Sequence, residues 1–185
     1  MPILGEEVSL FPETLLEAPT SAESDRRWWA VYTKARQEKS LARDLLNYEV
    51  PFYLPQVTRQ LSYRGRRIKS LLPLFTGYLF LYGTDEERVR ALTTNRVSQL
   101  LPVTDQEHLR RDLKQVYRLI ASRAPLTVED QMTPGRLVRV KRGALMGLEG
   151  TILQRRNSCR LTVVVHFLNR GVSLNIEDID VELLT

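Results

Sequence analysis

Hydrophobic and polar positions follow a period of two along Arg27–Thr33, RWWAVYT. Trp28, Ala30 and Tyr32 fall on one face and Trp29 and Val31 on the other, which predicts a strand with apolar side chains on both sides. The second half of residues 71–83, LLPLFTGYLFLYG, repeats the pattern, with Tyr78, Phe80 and Tyr82 opposite Leu79 and Leu81. Strands apolar on both faces belong at the buried centre of a sheet. A face of Tyr and Phe is also the composition of a docking surface for a partner. The alternation alone leaves both readings open.

A period of 3.6 predicts three helices. Residues 35–48 carry Leu41, Leu45 and Tyr48 at i, i+4 and i+7, and Pro51 ends any continuation. Thr84 and Glu87 form a capping box opening a short helix over 84–92, and Thr104 and Glu107 a second, opening a helix over 104–122. The second helix carries Leu109, Leu113, Val116 and Ile120 on one stripe. Further strands are expected at 52–54 and 97–102. Residues 57–71 predict a hairpin with Gly65 at its tip, where a positive φ costs little. The order β-α-β-β-α-β-α predicts an α+β domain over 26–122: an antiparallel sheet with helices packed on one face and the other face available.

The flanking segments differ in character. Residues 1–25 hold Pro2, Pro12 and Pro19, lack periodicity, and read as a disordered acidic tail. Residues 123–133 read as a linker. Residues 134–185 hold short β-rich runs about ten residues apart, at 137–141, 150–154, 160–167, 172–175 and 180–183. That spacing predicts a small SH3-like five-stranded β-barrel.

Charge changes the picture of partners. The chain of 185 residues has a net charge of +5, which hides an asymmetry. Residues 1–25 hold six acidic residues and no Lys or Arg; the other 160 hold 27 basic against 16 acidic. Arg59, Arg64, Arg66, Arg67 and Lys69 make the hairpin wholly cationic. A basic body points to a polyanion, with plain solubility as the alternative account.

Candidate chemistry is sparse. No apolar run approaches the roughly 20 residues that cross a bilayer, so no membrane partner is expected. The acidic start lacks the form of a signal peptide, and the single cysteine, Cys159, cannot make an internal disulfide, so a cytoplasmic protein is expected. Cys159 lies in a turn near Arg155, Arg156 and Arg160, and a free turn cysteine is the simplest account of it. The two histidines, His108 in a helix and His166 in a strand, have no second histidine, cysteine cluster or carboxylate pair at ligand spacing. No Gly-rich phosphate loop precedes a helix. The expectation is a non-enzymatic monomer without a metal or cofactor.

The segment PGRLVRVKRGALMGLEGTILQ places Gly143, Gly147 and Gly150 around a tight turn between two strands, and resembles the KOW motif of NusG-type transcription factors and some ribosomal proteins. The strand WWAVYTKARQEK, the element PLFTGYLF and the unit leading to 97–101 follow the NusG N-terminal domain in order and spacing. Over residues 26–184 the chain is similar to a NusG-family elongation factor, with a basic hairpin and acidic tail more like the specialised RfaH-like paralogs.

The resemblance implies the following. The first domain binds RNA polymerase through an aromatic patch that docks on the clamp helices of the largest subunit. Tyr32, Phe75, Tyr78 and Phe80 match patch positions; Thr76 stands where the family pattern has Pro. Lys34 and Arg36 match positions that touch the non-template DNA strand, and the hairpin residues Arg64, Arg66 and Arg67 are placed near DNA or polymerase. Thr93 and Thr94 resemble a polymerase-contacting motif, but its histidine is missing, and no close equivalent is expected. The KOW domain recruits a partner, Rho or a small-subunit ribosomal protein in the family, through a turn holding Arg142, Leu145 and Met146. In RfaH the barrel sequence can refold as a helical hairpin; the β-prone run at 161–167 predicts a stable barrel here. The other reading of the chain is a KOW-containing ribosome- or RNA-binding protein without a polymerase role. Binding by stacking would leave the strand aromatics bordered by Lys and Arg.

Overall fold

The computed structural model describes residues 7–17, 24–63, 65–129, 135–155, 158–176 and 181–184. Chain contacts divide it into two compact units, 1–107 and 108–185. It is an α+β protein built on antiparallel sheets.

In chain order the first unit contains β1 (Leu10–Phe11), β2 (Arg27–Thr33), α1 (Glu38–Asn47), β3 (Phe52–Tyr53), β4 (Gln56–Tyr63), β5 (Arg66–Pro73), β6 (Tyr78–Gly83), α2 (Asp85–Thr93) and β7 (Val97–Pro102). The sheet order is β1-β3-β6-β2-β7, so β2 and β6 are central, as their two-sided apolar pattern predicts. Trp29, Val31, Leu79 and Leu81 pack with Leu41, Ala42 and Leu45 of α1 and Ala91 of α2 into one core cluster. Helix α1 begins three residues later than its apolar period suggests, because Arg36 takes a left-handed φ of 60° that no helix accommodates. The Thr84–Glu87 capping box opens α2 as expected. Strands β4 and β5 pair by themselves, from Gln56↔Pro73 to Tyr63↔Arg66, with Gly65 at φ 76° in the turn.

Two expectations for this unit are corrected. Residues 7–17 are not a disordered tail: β1 adds an edge strand, Leu10↔Tyr53, while Leu10, Leu15 and Leu16 are buried. The arrangement gives the apolar residues of a locally aperiodic segment a core to join. The sheet face opposite α1 and α2 is not open at its centre, because Trp28, Ala30 and Phe80 are buried there too.

Helix α3 (Gln106–Ala121) begins at the boundary between the units. Its first residue closes the end of β2: the Gln106 side chain accepts from Trp28 N–H at 2.5 Å and donates to Trp28 O at 3.1 Å. The helix starts two residues past Thr104, and Leu119 rather than Ile120 completes its buried stripe. The division between the two units falls inside this helix, between Glu107 and His108.

That unit continues with β8 (Thr127–Glu129), β9 (Arg136–Val140), β10 (Glu149–Arg155), β11 (Ser158–Val165), β12 (Arg170–Ile176) and β13 (Val181–Leu183), in the sheet order β13-β9-β10-β11-β12-β8. The five expected strands are present within a few residues. β8 is an addition inside the expected linker, pairing Val128↔Val172. Glu129 pins it, accepting from Ser173 Oγ at 2.6 Å and Arg160 at 3.1 Å. His166 lies in a short 3-10 turn, His166–Leu168, and not in a strand.

Candidate functional site

The end of the first sheet carries a pair of tyrosines. β2 and β6 run antiparallel with Tyr32 opposite Tyr78, and their rings lie 5.1 Å apart at 51°. Tyr32 is 41% exposed and Tyr78 half-buried. A turn over 75–78 fixes them. Tyr78 N–H donates to Phe75 O at 3.0 Å, and Gly77 sits at φ 83°, the conformation a type II turn demands of its third residue. Thr76 therefore closes this turn without the proline of the family pattern. Thr33 N–H donates to Gly77 O at 2.8 Å, and Gly77 N–H donates to the buried Glu38 carboxylate at 2.7 Å, tying the turn to β2 and α1. A Cβ on Gly77 would stand 2.8 Å from Tyr32 Cε2, so the glycine also makes room for the ring.

The other two expected patch residues are corrected. Phe75 and Phe80 are both 0% exposed. Phe80 lies opposite Ala30 and Tyr53, which are buried as well. Both phenylalanines are core. Alternation assigns a residue to a face but carries no information about what covers that face.

Cations lie near the same end. Lys34 and Arg36 are exposed. Lys34 N–H donates to Arg96 O at 2.8 Å, and its Nζ reaches Asn95 Oδ1 at 2.6 Å. Arg96 is held in turn by Asp44 at 2.5 Å and Gln37 at 2.6 Å. On the hairpin, Arg66 and Arg67 are exposed on opposite faces, while Arg64 lies outside the described residues. Thr93 and Thr94 turn their hydroxyls back to Arg90 O and Ala91 O, each at 2.7 Å, as residues ending a helix do. At the opposite end of β2, Arg27 holds the Asp85 carboxyl below its ordinary range by a side-chain hydrogen bond, with partial desolvation opposing it.

In the second unit the turn between β9 and β10 separates its expected contact residues. Arg142 is exposed and Met146 is 62% exposed. Leu145 is corrected to core: it is buried with Leu148, because the turn folds its leucines under while Gly147 N–H donates to Val140 O at 2.7 Å. The Arg118 guanidinium of α3 donates to Met146 O. The Cys159 side chain lies outside the described residues.

Sequence reasoning missed one constellation. His108, Asp112 and His166 converge, although the two histidines are 58 residues apart. His108 and Asp112 at i and i+4 on α3 were a visible half of the signal; nothing local places His166 beside them.

Comparison with known proteins adds the following. Residues 26–133 match the NusG family, described as transcription termination factor nusG. No curated protein matches the chain by sequence. Among solved structures, the chain is similar to one from the crystal structure of the MjSpt4:Spt5 complex in conformation B. That match is 14% identical with a TM-score of 0.29, covering 85% of this chain and 97% of that one.

Proposed function

This chain belongs to the NusG family of transcription elongation factors, and we propose that it engages RNA polymerase through the Tyr32–Tyr78 end of its first sheet. The observation carrying this reading is the tyrosine pair itself. Two aromatic rings on a rigid sheet end, locked by the Gly77 turn, offer a preorganised anchor at small entropic cost. The family's clamp-helix surface is the partner the resemblance points to. Tyr32 and Tyr78 carry the contact, and Phe75 and Phe80 support it from within the core.

Lys34 and Arg36, with Arg66 and Arg67 on the hairpin, contact DNA phosphates as the complex forms, a role that needs exposed charge and no base reading. Arg142 and Met146 on the second unit's turn recruit a further protein. The chain works by recruitment in the cytoplasm, without catalysis of its own.

The test is binding of the full chain to purified core RNA polymerase at moderate salt, wild type beside Tyr32→Ala/Tyr78→Ala. The expected result is tight binding by the wild type and at least about thirtyfold weakening in the double variant, the scale of one interface hot spot of about 2 kcal/mol. Equal binding by the two proteins refutes the patch. Absence of wild-type binding, with strongly salt-dependent binding to RNA, favours the ribosome or RNA reading instead.

A further inference from the structure

We propose that His108, Asp112 and His166 form a binding site for a divalent transition-metal ion of the Zn2+ class. The site lies within the second unit and does not depend on the polymerase reading. His108 Nε2 and His166 Nδ1 are 2.9 Å apart, His166 Nδ1 and Asp112 Oδ2 3.0 Å, and His108 Nε2 and Asp112 Oδ1 3.6 Å. Zinc bound by nitrogen and oxygen at roughly 2.0–2.1 Å in a tetrahedron holds its ligand atoms roughly 3.3 Å apart. The two Asp112 distances are to its two different oxygens, so the carboxylate must turn to offer one of them; the three ligand atoms lie within 4.8 Å of one another, and an ion enters with modest side-chain adjustment.

The protons point the same way. His166 Nδ1 carries at most one hydrogen, yet it lies within hydrogen-bond distance of both the Asp112 carboxylate and the His108 ring nitrogen. One ring N–H cannot serve both contacts well. A cation serves all three lone pairs at once.

The support is already built. Asp112 is 4% exposed, and its Oδ2 accepts from His166 backbone N–H at 2.9 Å, which orients the carboxylate before any ion arrives. One helical turn separates His108 from Asp112, so α3 presents two ligands on one face and the 3-10 turn after β11 supplies the third. A cavity of about 300 Å³ opens onto the site, lined also by Gln115 and Thr151, and offers an entry path and room for a water ligand. Arg111 and Glu149 share that lining. Arg111 is exposed, so water screens its repulsion of an ion, and Glu149 is engaged by Arg139 at 2.6 Å. Two imidazoles and one carboxylate suit Zn2+, Ni2+ or Cu2+ rather than Mg2+ or Ca2+. The bound ion would clip α3 to the turn after β11.

The experiment uses the metal-stripped full chain, titrated with ZnCl2 against a chromophoric chelator and with CoCl2 by visible absorption. The wild type is expected to bind one equivalent of Zn2+ in the micromolar range or tighter, with the intense d–d bands of four-coordinate cobalt. His108→Ala and His166→Ala remove exposed or half-exposed rings, and circular dichroism checks that each variant keeps its fold. Each is expected to weaken binding at least about tenfold, the lower bound for loss even of a supporting partner. Cys159→Ser is expected to bind as the wild type. Millimolar binding by the wild type, unchanged binding in both histidine variants, or loss of binding in Cys159→Ser each overturns the proposal.

Discussion

Replacing Gly77 by alanine tests how the tyrosine pair is held. The residue sits at φ 83°, and a Cβ there would lie 2.8 Å from Tyr32 Cε2. Two costs combine. Forcing alanine into the left-handed region costs about 1–2 kcal/mol. The clash is relieved by swinging the exposed Tyr32 ring away, which forfeits its contact with Tyr78, worth about 0.5–1.5 kcal/mol. The expected loss is therefore about 1.5–3.5 kcal/mol. Both tryptophans, Trp28 and Trp29, lie on β2, so tryptophan fluorescence during urea unfolding follows the first unit. Repeating the substitution in a Tyr32→Ala background removes the clash and leaves the backbone term alone, so the two effects should be non-additive by about 0.5–1.5 kcal/mol. A strictly additive cycle refutes the steric part of the argument. A loss below about 0.5 kcal/mol in both backgrounds refutes the backbone part as well.

Three other expectations follow from the same geometry. Phe80→Ala should cost about 3–5 kcal/mol in stability, as for a buried phenylalanine, and a cost under about 1 kcal/mol would mean that the residue is not core. Arg66→Ala and Arg67→Ala should each lower the slope of log K against log salt for DNA binding by about 0.7–0.9; an unchanged slope removes the hairpin from the DNA contact. Asp85 should titrate below the ordinary aspartate range because of its hydrogen bond to Arg27. Its contribution to stability is thus complete above the unfolded-state value and lost only as pH falls through the lower folded one. Arg27→Ala should move the Asp85 titration upward when followed by NMR, and a titration that stays in place contradicts the assignment.

Much of the architecture was legible in short stretches of sequence. The two-residue period of 27–33 and 78–82 identified β2 and β6 as strands apolar on both faces, and the sheet order makes them central. Gly65 between β-prone runs announced the hairpin, Thr84 with Glu87 the start of α2, and the ten-residue rhythm after 135 the second sheet. These are properties of contiguous residues, set by backbone sterics, capping groups and side-chain alternation. The same alternation set Tyr32 and Tyr78 on one face, where the register brings them opposite each other.

What the tertiary structure decided depends on residues far apart in the chain. Only the packed sheet determines that Phe80 is covered while Tyr32 is not, because a face has no burial until something lies on it. Only long-range pairing turns residues 10–11 and 127–129 into strands, since segments too short to hold a period take their structure from the edges they join. The meeting of His108, Asp112 and His166 was invisible for the same physical reason. Periodicity places neighbours along an element, but closure of a 58-residue separation is set by the free energy of the whole packed unit.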